Sequence, residues 1–312
     1  MSRRKFRFLI GCIAVFASGF HAGFLRADSA LLISIADTTL IEAVPDNNLG
    51  GGLAVNTGTT QNFTRNRGLF FFDVTGIPLG SRVTNVDFVV EVTGQFKDGF
   101  ASSSFGLHRV LKSWGEGNKL SPDPGHPGLG AAATIGEATW KDRFAFTTNT
   151  WTMPGGMATN DYVSESSAVT FVFGVGDSPY TFASTPALAA DVQAWVDDPS
   201  TNFGWMLICE SEADNFTARR FASREDTDLE PYVLVQYDPP PHVDLVAATN
   251  AQVNLSFTAQ SNQSYTVEFR VSFSSSDTWL TLTNFPVAPV TIERMISDSL
   301  TQAQRYYRLR LP

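Results

Sequence analysis

Apolar and polar residues alternate with a period of two along most of this chain, and no other feature constrains its fold as much. "NVDFVVEVTG" sets Val86, Phe88, Val90 and Val92 on one face. "AVTFVFGV" does the same with Val169, Phe171, Phe173 and Val175, and "EPYVLVQYD" with Tyr232 and Leu234. "GLFFFDVTGIP" is apolar on both faces, which suits the interior of a two-layer sandwich. Gly, Asn, Asp and Pro punctuate these runs. With 312 residues, 43% of them hydrophobic, the chain can bury one sizeable core and a second small one. The reading is an all-β protein.

One helix interrupts the strands. "STPALAADVQAWVDDPS" offers Ser184 or Thr185 as N-cap, Pro186 at the first helical position, and Asp198-Pro199 as a stop. Leu188, Val192, Trp195 and Val196 form one apolar stripe, so Trp195 reads as core. The segment from Gly115 to Trp140, "GEGNKLSPDPGHPGLGAAATIGEATW", is aperiodic and rich in Gly, Pro and Ala. A loop of that length in a compact domain is often functional. "YDPPPHVD" places a stiff proline linker at 239–242. Beyond it, five strand candidates in about 70 residues predict a small immunoglobulin-like β-sandwich over 243–312.

Residues 1–27 read as an export signal: a basic start, a short apolar core, and small residues near Ala27. "SRRKF" also fits the twin-arginine pattern, with an ordinary secretion signal as the alternative. "LIGC" spells a lipoprotein box, but the apolar core follows it instead of preceding it, which argues against lipidation. No later stretch has the ~18 apolar residues of a membrane span. The expectation is a monomer that is secreted or held at the cell surface.

Removing the signal strips Arg3, Arg4, Lys5, Arg7 and Arg26, so 22 basic residues become 17 against 31 acidic, a net of −14. Such a surface argues against nucleic acid and anionic membrane as partners. Cys209 is then the one cysteine left, and "WMLICE" makes it a small buried hydrophobe.

The chemistry-bearing residues form few patterns. His108, His126 and His242 stand far apart, with no H-x-H or H-x-x-x-H pair to suggest a transition metal. "GDSP" is followed by "YTF" and not by a helix, so it is a tight turn and no nucleophile elbow. No carboxylate pair stands out for glycoside hydrolysis. "PDNNLGGG" and "SREDTDLEP" offer hard oxygen donors for calcium, with Asp46, Asn48, Asp226 and Asp228 as the candidate ligands. The plainer reading is that these Asx residues make turns.

A glycan presents apolar C–H faces to flat rings and hydroxyls to hydrogen-bonding groups, and an acidic sugar adds a carboxylate that Arg can clamp. Trp114, Trp140, Trp151 and Tyr162 lie in or near the irregular middle segment, outside clean alternation. Trp205 and Trp279 fall in strand patterns and read as packed. Lys141, Arg143, Arg219, Arg220 and Arg224 are the basic candidates, with surface salt bridging as their alternative.

These stretches resemble a family. "ADTTLIEAVPDNNLGGGLAVNTG", "RGLFFFDVTGIPLGSRVTNVDFVVEV", "LHRVLKSWGEG" and "TNTWTMPGG" follow the order of DNRLRE domains in secreted bacterial proteins. "ALAADVQAWVDDPSTNFGWMLICESE" and "RRFASREDTDLEPYVLVQYD" continue it, so the resemblance covers roughly residues 33 to 238. It departs at "PGGMATNDYV", where an acid is expected beside the Gly pair. The resemblance implies a jelly-roll-like β-sandwich over 28–238, similar to a carbohydrate-binding module family that includes alginate binders. Val243 to Pro312 looks like a small β-rich module that often closes secreted multidomain proteins. Within "RRFASREDTDLEPYVLVQYD", "FAS" reads as the end of a hairpin partner of Tyr232–Tyr237, and Arg224-Glu225 as a structural clamp. The expected function is non-catalytic polysaccharide binding, with calcium as a candidate cofactor. A structural or adhesive surface protein and a weak polysaccharide-degrading enzyme are the alternatives. A binder would expose two or more of the four candidate aromatics on one face; a structural protein would bury them.

Overall fold

A computed structural model of the chain describes residues 28–95, 103–240, 242–249, 251–272, 274, 277–299 and 304–311. The export-signal reading lies outside these residues. The fold divides into two compact units, with the boundary at Pro240 in the proline run.

The first unit opens with β1 (Asp28–Ile41), which pairs with β13 (Tyr232–Asp238) through Ile33 and with β4 (Arg65–Phe72) from Ser34 onward. A register shift between Ser34 and Ala36 marks its passage from one sheet to the other. The first sheet continues from β13 to β5 (Arg82–Val90) and β10 (Tyr180–Phe182). The second runs from β4 through β11 (Trp205–Cys209) and β7 (Ser103–Arg109) to β9 (Ala168–Val172) at its edge. Three further strands, β3 (Ala54–Thr59), β12 (Arg219–Ala222) and β6 (Val92–Gln95), lie side by side with β12 central, and β3 also touches β4. A short pair, β2 (Asn47–Asn48) with β8 (Ala131–Ala132), ties the irregular segment to the start of the chain. Every pairing between these strands is antiparallel, and the fold is a β-sandwich.

Inward-facing residues of all three strand groups meet in one core. Phe70, Phe72, Phe88, Phe105, Phe182, Phe221 and Trp205 are fully enclosed there, each burial being favourable by about 1.5–3 kcal/mol. The helix α1 (Pro186–Asp197) closes this core with Leu188, Val192, Trp195 and Val196, and Thr185 caps it by accepting from Leu188 N at 3.0 Å. A second core covers the outer face of β4 and β11: Leu69, Met206 and Ile208 pack under Trp140, Trp151 and Tyr162. That cover is why "GLFFFDV" is apolar on both sides.

Alternation defines two faces but not which one is inside, and in two of the stretches the residues that share a face turn out to share the outer one. On β9 the inward residues are Ala168 and Val172, while Val169, Phe171, Phe173 and Val175 are exposed. On β13 the core takes Val233, Val235 and Tyr237, and Tyr232 and Leu234 face outward, half-buried. The expected hairpin is also absent: β12 pairs with β3 and β6, whereas β13 pairs with β1 and β5.

The second unit holds β14 (Asp244–Ala248), β15 (Gln252–Ala259), β16 (Tyr265–Arg270), β17 (Leu280–Phe285), β18 (Ile292–Ser299) and β19 (Tyr306–Arg310). They form two three-stranded sheets, β14-β15-β18 and β17-β16-β19, around Val253, Leu255, Phe257, Tyr265 and Val267. The five expected strands are present; β14 is an additional one, solvent-exposed throughout. Trp279 precedes β17, between the guanidinium groups of Arg270 (4.6 Å) and Arg308 (4.3 Å).

Candidate functional site

Asn56, Arg220 and Gly94 stand in register across β3, β12 and β6. Their neighbours Val55, Phe221 and Val92 enter the main core, so Asn56 and Arg220 point the other way. Glycine at 94 gives Arg220 its place: a Cβ there would stand 3.0 Å from Arg220 Cδ. Asn66 at the start of β4 pairs with Gly58, and the turn through Thr60 and Asn62 extends the same wall. The irregular segment supplies the opposite side with His126, Pro127, Gly128 and Leu129. Together they form a groove of about 410 Å³.

The lining is rich in neutral hydrogen-bonding groups, with Asn56, Asn66, Gln61, Asn62 and Gln95 beside the apolar surfaces of Ile41, Pro127 and Leu129. None of the lining side chains among the described residues is acidic, although the chain carries 31 acids. Asn56 is only 7% exposed, and its Nδ2 meets no acceptor among the described residues; nor does Nε of Arg220. A buried donor without an acceptor costs about 1–3 kcal/mol.

The residues expected to bind glycan separate into two groups. Arg220 and Arg219 border the groove. The Arg219 side chain, however, is buried and donates to the carbonyls of Phe173, Thr217 and Ala218. Trp140, Trp151 and Tyr162 do not share an exposed face, because they are buried as the cover of the second core. Trp151 Nε1 donates to Thr139 O, and Trp140 lies 5.4 Å from the Arg65 guanidinium. Trp114 is half-buried against the same core and donates to Phe203 O. Lys141 pairs with Asp46 at 2.9 Å, and Arg143 donates to the carbonyls of Ser113 and Thr150. Spacing carried no signal for Asn56, Asn66 or Gln95, which meet only once β3, β4 and β6 are assembled around β12.

The expected calcium ligands do not converge. Asp46 is engaged by Lys141. The Asn48 side chain is saturated, donating to the carbonyls of Glu116 and Ala138 and accepting from Gly50 N and Lys119 N. Asp226 and Asp228 sit in the turn before β13, which backbone bonds from Asp226 N to Ser223 O and from Leu229 N to Asp226 O close. The acidic groups that do converge among the described residues are Asp37, Glu116 and Glu225, with carboxylate oxygens all within 4.8 Å of one another. Arg224 clamps this cluster, donating to both Glu116 oxygens at 2.5 and 3.0 Å and pairing with Glu225 at 3.1 Å. The clamp expected from Arg224-Glu225 therefore reaches on to Glu116 in the irregular segment.

Asp37 accepts from Ser34 Oγ and Arg224 N, and its own N–H donates to Glu116 Oε1. Burial pushes its carboxyl up to about 8, and the charges of Glu225 and Glu116 add to the rise. Burial also raises Glu225. One arginine faces three acids, and a proton on Asp37 at neutral pH reduces the charges it faces to those of Glu116 and Glu225. The three side chains could furnish oxygen ligands for a hard cation only after that proton leaves. Asp161, five positions past Gly156, is buried and accepts from Thr152 N and Met157 N; it fixes the segment where the acid beside the glycine pair is missing. Cys209 is enclosed in the core, and burial pushes its thiol up, away from reactivity.

No model of a known protein family matches the chain, and no curated protein sequence matches it significantly.

Proposed function

We propose that the chain is an exported, non-catalytic polysaccharide-binding protein that holds an acidic glycan such as alginate in the groove across β3, β12 and β6. The observation that carries this reading is a groove in an acidic chain with no acidic lining among the described residues, two of whose lining residues, Asn56 and Arg220, each keep a buried donor without an acceptor. Arg220 supplies the charge for a uronate carboxylate, and the amides meet hydroxyls. The resemblance to DNRLRE domains supports the same class. Hydrolysis by two carboxylates would need acids flanking the sugar, and the described residues of the groove wall include none.

Native affinity gels cast with alginate, pectin, xylan and β-glucan, each with calcium and with chelator, test the proposal. Retardation by an acidic polymer is expected, equal with and without calcium. Arg220→Met should abolish it. Asn56→Leu should do the same while melting a few degrees higher, because it deletes an orphan donor worth about 1 kcal/mol. Migration unchanged in every gel would reject the binding reading.

The burial of Trp140, Trp151 and Tyr162 favours a second reading, a structural or adhesive surface protein. That reading expects no retardation in any of these gels.

A further inference from the structure

The groove does not end at β6. Gln95 lines it and also lines a neighbouring shallow depression of about 490 Å³, whose other wall is the segment Phe173–Asp177. Phe173 is 51% exposed there and Val175 49%. Their backbone is tightly held. Tyr180 Oη accepts from the N–H groups of Phe173 (3.1 Å) and Gly174 (2.8 Å) and donates to Gly174 O (2.7 Å). Arg219 Nε donates to Phe173 O at 3.2 Å. Gly174 permits the contact with β6, since a Cβ on it would fall 2.0 Å from Gln95 Oε1.

Phe173 and Val175 continue a run of exposed apolar side chains that begins with Val169 and Phe171, and contiguous apolar surface of that kind marks a contact site. The Phe173 ring's flat face and low conformational freedom suit stacking on the C–H face of a sugar. From β4 through β3 and β12 to β6 there are three inter-strand steps, a span of about 14 Å. Gln95, at the β6 end of that span, is the residue that the groove and the Phe173–Asp177 depression share. Resting on the groove reading above, we infer that the glycan path continues past Gln95 onto a shelf formed by Phe173 and Val175. The ligand is thus a polymer stretch longer than the groove, and affinity rises with chain length until the shelf is reached.

Titration calorimetry of the full chain with size-fractionated alginate oligomers, and with xylan oligomers as the uncharged series, tests this. Wild type should gain affinity as the oligomer outgrows the groove. Phe173→Ser should bind the shortest oligomers that wild type binds equally well, yet lose the gain, roughly fivefold, for the longest. Phe173→Leu keeps the apolar volume, removes the flat face, and should show the same loss; it also serves if the serine variant folds poorly. An unchanged length dependence in both variants overturns the shelf and leaves the groove standing. Wild type binding neither series at any length overturns both.

Discussion

At the scale of single residues, Asp37 ties stability to pH. Its carboxyl titrates near 4 in an unfolded chain and at about 8 here, so folding takes up a proton between those values. Where the folded state holds more protons, stability falls as pH rises, by at most about 1.4 kcal/mol per pH unit for one group. The contribution is complete below about pH 4 and is lost as pH climbs through 8. Asp37→Asn keeps a neutral group of the same shape between Ser34, Arg224, Glu116 and Glu225, and removes this slope. The variant should gain on wild type progressively from pH 5 to pH 9 in urea unfolding. A bound cation would reverse the trend by favouring the charged form, and calcium would then raise the wild-type melting temperature most at pH 9. Equal melting with calcium and with chelator at that pH is the expected result.

At the scale of elements, what could be read from the sequence depended on how local the cause is. The helix was legible because its cap, its first-turn proline and its stripe all lie within Thr185–Asp198. The strands were legible as strands. Which face of β9 lies inside was not, because that depends on a neighbouring layer that β9's own residues do not encode. The same gap explains the tryptophans. Trp140 and Trp151 fall outside clean alternation because the irregular segment buries them without being a strand, and burial of that kind leaves no periodic trace. Trp140 packs so closely that a Cβ on Gly155 would stand 2.5 Å from its ring. Trp140→Ala should cost about 3–5 kcal/mol in denaturant unfolding. Because Trp140 does not line the groove, the folded variant should keep its polysaccharide retardation. A loss of binding with stability intact would return this tryptophan to the glycan site.

For the whole molecule, each unit has a core of its own: the large sandwich around Phe70, Phe88 and Trp205, the small one around Phe257 and Val267. The groove, the shelf and the acid cluster use residues of the first unit alone. A unit of about 200 residues buries enough apolar surface to fold without help, whereas one of about 70 is near the lower limit. Residues 28–240, expressed alone, should therefore unfold in one cooperative transition and bind with the full chain's affinity. Residues 243–312 alone should melt at a lower temperature and bind none of the four polysaccharides. If 28–240 folds but binds tenfold more weakly, the second unit contributes to recognition. Assigning the site to the first sandwich would then be wrong, even with its groove intact.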